Sequence, residues 1–175
     1  MPTLVNLPLT IVVVLVQLLP NGLLQPNAGA VCPPGWTLYA ARGKCFIAIS
    51  SGAMKGWMDH SLACQALMPT ATLASIHDAN EQNFVADVAR TKGTQDAWIG
   101  MWDQLGSGLW RWVDGSPVEY AFWELGQPDK YLGIQHCVRM QLNKYGAWDD
   151  LNCDNSAIWT SVCQVYTQNS QPIQG

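Results

Sequence analysis

Six cysteines, Cys32, Cys45, Cys64, Cys137, Cys153 and Cys163, constrain this chain more than any other feature. An even number of cysteines in a chain that leaves the cell reads as a disulfide framework. The N-terminus reads as an export signal. The first 30 residues carry no charged side chain, and Leu7 to Leu19 forms an apolar run. That run falls short of the roughly 20 residues a membrane helix needs. Ala28-Gly29-Ala30 follows, in the small-residue arrangement that a signal peptidase accepts. These features predict a signal peptide over 1–30, a folded domain over 31–166 and a short polar tail over 167–175. A retained anchor is the competing reading, because no positive residue lies near Met1.

Zinc is the other use a chain makes of clustered cysteines. No C-x2-C or C-x4-C spacing occurs, and His60, His77 and His136 are scattered. Disulfides are therefore expected. Six cysteines can pair in fifteen ways, and spacing alone does not choose among them. Cys32 and Cys45 flank a predicted hairpin, with Trp36 to Tyr39 and Lys44 to Ile49 around Arg42-Gly43. Cys137 and Cys153 flank a second, Val138 to Leu142 and Ala147 to Leu151, around Asn143 to Gly146.

Two helices are predicted ahead of the later strands. Trp57 to Leu67 places Met58, Leu62 and Cys64 to Leu67 on or near one face, and Pro69 follows its end. The second opens with the capping-box pattern Asp78-Ala79-Asn80-Glu81 and continues with Phe84, Val85 and Val88 at helical spacing. From Trp98 onward the chain reads as short strands broken by Gly, Pro, Asn and Asp. Helices followed by strands predict an α+β domain. Trp98, Trp110, Trp112, Trp123 and Trp159 lie in apolar or alternating runs and are expected in the core. The stretch from Trp123 to His136 is different: it lacks alternation and carries polar residues that could converge on an ion.

Charge narrows the function. Nine basic against thirteen acidic side chains give a net charge of −4, which argues against a nucleic-acid partner, whose phosphates are held by clustered Lys and Arg. Gly106-Ser107-Gly108 is not a nucleophile elbow, and no serine has an evident base, so no enzyme is expected.

In order along the chain stand Pro34-Gly35-Trp36, Leu73 to Ile76, Trp98-Ile99-Gly100-Met101, Trp110 to Gly115, Phe122-Trp123, Gln127-Pro128-Asp129 and Trp148-Asp149-Asp150. Threaded among the six cysteines, these segments resemble C-type lectin domains across Cys32 to Cys163. The resemblance implies pairings 32–45, 64–163 and 137–153. It implies two helices packed on short antiparallel sheets, with a long calcium-binding loop. It also implies one calcium ion held by Gln127, Asp129, Gln135, Asp149 and Asp150, with a cis bond before Pro128.

The family's sugar site shares these residues: Gln127, Asp129, Gln135 and Asp149, with Tyr131 placed to stack on the sugar. Glutamate is common where Gln135 stands, and asparagine where Asp149 stands. Three carboxylates and two amides remain, a donor set that suits a hard cation. Each bridging hydroxyl needs one amide donor and one carboxylate acceptor, and Gln127 with Asp129 and Gln135 with Asp149 supply two such pairs. Gln-Pro-Asp implies galactose-like sugars, whereas the reversed second pair reopens the site to mannose-like ones. An auxiliary calcium is not expected, because Asp103 is the only acidic residue among its positions, which include Lys130 and His136. The implied protein is a secreted calcium-dependent lectin whose partners are glycans, with homo-oligomers open. The alternative is a domain of the same fold that binds protein or mineral surfaces without sugar.

Overall fold

The structure, a computed structural model, describes residues 31–167 and Ser170. The predicted signal segment and most of the polar tail lie outside these residues. The elements run β1 (Thr37–Tyr39), β2 (Lys44–Ser50), α1 (Trp57–Leu67), β3 (Thr72–Leu73), α2 (Ala79–Arg90), β4 (Asp96–Asp103), β5 (Trp110–Trp112), β6 (Gln135–Gln141), β7 (Ala147–Asn152) and β8 (Thr160–Tyr166). The α+β reading holds. The strands join in one sheet of order β1-β2-β8-β4-β6-β7, with β3 on β8 and β5 on β4. The expected antiparallel sheets are linked into a mixed one because Trp98 on β4 pairs parallel with Ser161 on β8.

The disulfides pair as the resemblance implies. Cys32–Cys45 closes the first hairpin, Cys137–Cys153 ties the start of β6 to the end of β7, and Cys64–Cys163 joins α1 to β8. The last bond orients α1. Its buried face is Trp57, His60, Ser61 and Cys64, whereas Met58, Leu62 and Leu67 are exposed. The expected apolar face is therefore corrected. Polar anchoring and the disulfide set the helix's rotation: His60 lies 2.9 Å from Ser161 Oγ and 3.2 Å from the Ile158 carbonyl.

The second helix starts as expected. Asp78 caps it by accepting from the N–H groups of Asn80 and Glu81. Glu81 reaches back to the N–H of His77 rather than of Asp78, a capping box displaced by one residue. Its other oxygen lies 3.0 Å from the fully buried Lys44 ammonium. Burial pushes the Glu81 carboxyl up, and the Lys44 charge opposes that push.

Among the tryptophans, Trp98, Trp112 and Trp148 are fully buried, and Trp110 and Trp123 pack half-buried against the core. Trp159 is 55% exposed, which corrects its expected place in the core. Ile158 takes the inward position beside it, and the indole N–H of Trp159 turns back to the Ser156 carbonyl. Trp148 is the hub: Trp112, Tyr120 and Trp123 each meet it edge-on at 5.5–5.9 Å. Gln82 of α2 accepts its indole N–H at 2.8 Å. The residues that follow Trp148 are Asp149 and Asp150, so this packing fixes the strand that presents them.

Candidate functional site

The long loop between β5 and β6 rests on β7 through its own backbone. Trp148 N–H donates to the Phe122 carbonyl and Glu124 N–H to the Trp148 carbonyl, at 2.7 and 2.8 Å. Beyond this base the Gln127–Pro128 peptide is cis. The chain then turns sharply, with Lys130 and Leu132 both in the left-handed region at φ 50° and 56°. Three successive backbone N–H groups, those of Asp129, Lys130 and Tyr131, face inward and gather side-chain oxygens.

Four of the five expected ligands meet there. Gln127 Oε1 accepts from Asp129 N–H at 2.9 Å. The two oxygens of the fully buried Asp150 accept from Asp129 N–H and Lys130 N–H at 3.0 and 2.9 Å. Asp129 Oδ1 and Gln135 Oε1 both accept from Tyr131 N–H, at 3.0 and 2.7 Å. Burial pushes the Asp150 carboxyl upward, the two backbone N–H bonds oppose this, and the nearby charge of Asp129 adds to it.

The fifth residue, Asp149, is turned elsewhere. Its Oδ2 accepts from Nε and Nη2 of Arg139 at 3.0 and 2.6 Å. The Tyr131 side chain is 62% exposed at the rim. Arg139 is the neighbour of Asp149 that the sequence reading missed, because only the observed hairpin register, with Gln141 opposite Ala147, sets it opposite Asp149.

These residues fit a hard divalent cation by their chemistry. Amide and carboxylate oxygens of Gln127, Asp129, Gln135 and Asp150 lie within hydrogen-bond reach of the same short backbone segment. Two of the four are carboxylates close enough for one to raise the other. Among the described residues no three of His, Cys, Asp and Glu form a ready-made metal cluster. The convergent set is two acids with two amides, the mixture that calcium accepts and zinc does not favour.

Next to this site the Lys130 ammonium lies 3.1 Å from Asp103 and 5.8 Å from the centre of the Trp110 ring. His136 Nδ1 is 4.0 Å from the same carboxylate. The three residues line a cavity of about 550 Å³ together with Trp102, Gly106 and Gly133.

Comparison with known proteins gives a consistent result. The family model described as "Lectin C-type domain" matches residues 53–165. The galactose-specific lectin nattectin of Thalassophryne nattereri is 36% identical over 130 residues, covering 73% of this chain and 77% of nattectin. The C-type lectin BPL of Bothrops pirajai is 31% identical over 136 residues, covering 76% of this chain and 98% of BPL. Among solved structures, a calcium-independent type II antifreeze protein is 31% identical, with a TM-score of 0.66, covering 78% of this chain and 95% of that one.

Proposed function

This chain belongs to the C-type lectin family, and from that premise we propose that it is a secreted lectin that holds one sugar through one calcium ion. The observation that carries the proposal is the convergence of Gln127, Asp129, Gln135 and Asp150 on the amides of residues 129–131, beside the cis peptide at Gln127–Pro128. These four, with Asp149, are the residues that would hold the ion. When bound, calcium would supply coordination positions for two adjacent sugar hydroxyls.

The protein's own groups complete the recognition. A hydroxyl accepts from an amide N–H and donates to a carboxylate oxygen. The Gln127 and Asp129 side chains offer one such pair, and Gln135 would form the other with Asp149 once Asp149 is released from Arg139. Tyr131 stands exposed at the rim, where its ring can cover the apolar face of a hexose. Galactose and N-acetylgalactosamine are the proposed sugars. The Gln-Pro-Asp order supports this, as does the 36% identity to a lectin named galactose-specific. The three disulfides and the apolar N-terminal run support secretion.

A second reading, surface binding without calcium or sugar, is favoured by one observation, the similarity to a calcium-independent antifreeze protein. Passage of the mature protein over galactose-agarose and mannose-agarose in calcium, followed by an EDTA wash, separates the readings. Retention on galactose with release by EDTA is expected. Retention on mannose alone would overturn the specificity. Failure on both resins, with no calcium uptake in a parallel titration, would leave the surface-binding reading.

A further inference from the structure

The hairpin that carries the candidate ligands also carries a cation of its own. Arg139 on β6 stands in register opposite Asp149 on β7. Two of its N–H groups converge on Asp149 Oδ2, and its Nη1 lies 3.4 Å from Oδ1 of Asp96, at the start of β4. The Asp149 side chain is 9% exposed and that of Arg139 is 24% exposed. One guanidinium is therefore shared between two carboxylates across three neighbouring strands.

We propose that Arg139 is a built-in rival of the metal for Asp149, and that Asp96 receives the guanidinium when the ion takes that carboxylate. This rests on the calcium reading above and adds to it the residue that sets calcium affinity. Calcium affinity follows the number of charged ligands, and by sequence the site has three carboxylates. Arg139 already neutralises one of them.

Arginine stays protonated under all ordinary conditions, so the conflict with a second cation cannot be relieved by loss of a proton. Either the ion binds weakly against the guanidinium or the guanidinium moves. Asp96 provides the place to move: it is already within 3.4 Å and is paired with no other cation among the described residues. Asp149 differs from the four convergent ligands in just this respect, since they are turned onto neutral backbone amides and it is turned onto a full charge.

The test is calcium affinity by titration calorimetry for the mature protein and the variants R139Q, R139K, D96N and R139Q/D96N. The expected result is about tenfold tighter binding for R139Q, the scale of a charge-assisted hydrogen bond removed. R139K is expected between R139Q and the parent, because lysine cannot place two donors on one oxygen. D96N alone is expected to weaken binding about threefold, and to have no effect in the R139Q background, where there is no guanidinium to receive. On the unmutated protein, the Arg139 Nε–H resonance should shift on calcium addition, a readout independent of any variant. If the parent binds calcium and R139Q binds it no more tightly, the rivalry is overturned and the calcium site stands. If D96N acts equally in both backgrounds, the role of Asp96 is overturned. If no protein of the series binds calcium, the calcium reading itself falls, and the inference with it.

Discussion

The ammonium of Lys130 lies 3.1 Å from Oδ2 of Asp103, a side chain with no exposure to solvent. Asp103 closes β4 and Lys130 sits three residues past the Gln127–Pro128 bond, so this pair pins the long loop to the sheet. Burial opposes a charge on Asp103. The donors from Lys130, Gly108 and Ser107 outweigh it and hold the carboxyl below its ordinary range. Lys130→Met would leave the buried carboxylate with only Gly108 and Ser107 as hydrogen-bond donors, and should destabilise the fold by about 2 kcal/mol. Adding Asp103→Asn should recover much of this loss, because removing both charges leaves no unpaired one. Urea unfolding of Lys130→Met, Asp103→Asn and the double variant at pH 7 checks it. A double variant as unstable as the sum of the single ones would show that the two residues act separately.

Acid stability should depend on His77. Burial first, and the nearby Lys44 charge second, hold its imidazole neutral down to about 4, against 6.5 for the ordinary group. Asp114, Arg42 and Asp78 also face it, the two acids opposing the shift and the arginine adding to it. Between these two values the unfolded chain takes up a proton that the folded one refuses. Stability therefore falls as pH drops from 6.5 to 4, by about 3 kcal/mol in total from this group. A His77→Gln variant lacks this contribution, so its stability should fall less over that window. Unfolding curves for parent and variant at pH 7, 5.5 and 4 measure the difference; parallel curves would mean that His77 is not held neutral.

Much of this architecture could be read from the residues. The second helix followed from its cap and periodicity, the first from its apolar spacing and the proline after its end, and the hairpin flanks from runs around turn residues, because local chemistry dictates them. What escaped was set by distant parts of the chain. Met58 and Leu62 have the spacing of a core face, but Cys64 and His60, anchored to Cys163 and Ser161, turn the helix the other way.

The site shows the same division. The resemblance pointed to Gln127, Asp129, Gln135 and Asp150, and the loop gathers their oxygens on one backbone segment. Arg139 could not, because strands of 138–142 and 147–151 around a four-residue turn would set Leu142 opposite Ala147. In the structure Gln141 takes that place, so Asp149 rather than Asp150 faces Arg139. A one-residue change of register decides which carboxylate meets the guanidinium.

Gly100 should tolerate no side chain. A Cβ there would lie 2.6 Å from the Leu73 carbonyl oxygen, 2.9 Å from Val113 Cγ1 and 3.0 Å from the Ala74 carbonyl oxygen. The carbonyls cannot step aside easily, since Gly100 N–H donates to Ala74 and β3 is held on β8. Gly100→Ala should therefore cost about 2 kcal/mol, the scale of overpacking in a filled core. A lowered thermal midpoint, with the far-ultraviolet dichroism of the fold retained, is the expected readout.

On the proposed calcium reading, Asp150 and Asp129 should separate loop support from ion binding. Each oxygen of Asp150 accepts one backbone N–H from the loop, and the residue is fully buried. Asparagine there offers one acceptor and presents an NH2 group to the other N–H, leaving two donors facing each other. Asp150→Asn should thus lower stability by about 2 kcal/mol even in EDTA, and should also abolish calcium uptake. Asp129 bonds to Tyr131 N–H in an exposed setting, and Gln135 accepts from the same group. Asp129→Asn should leave metal-free stability within about 0.5 kcal/mol of the parent while weakening calcium binding, since it removes a ligand charge. Unfolding in EDTA, paired with calcium titration, reads both effects on the same samples. Full calcium affinity in Asp150→Asn would remove Asp150 from the ion's ligands, and a stability loss alongside it would reduce the residue to a strut for the loop.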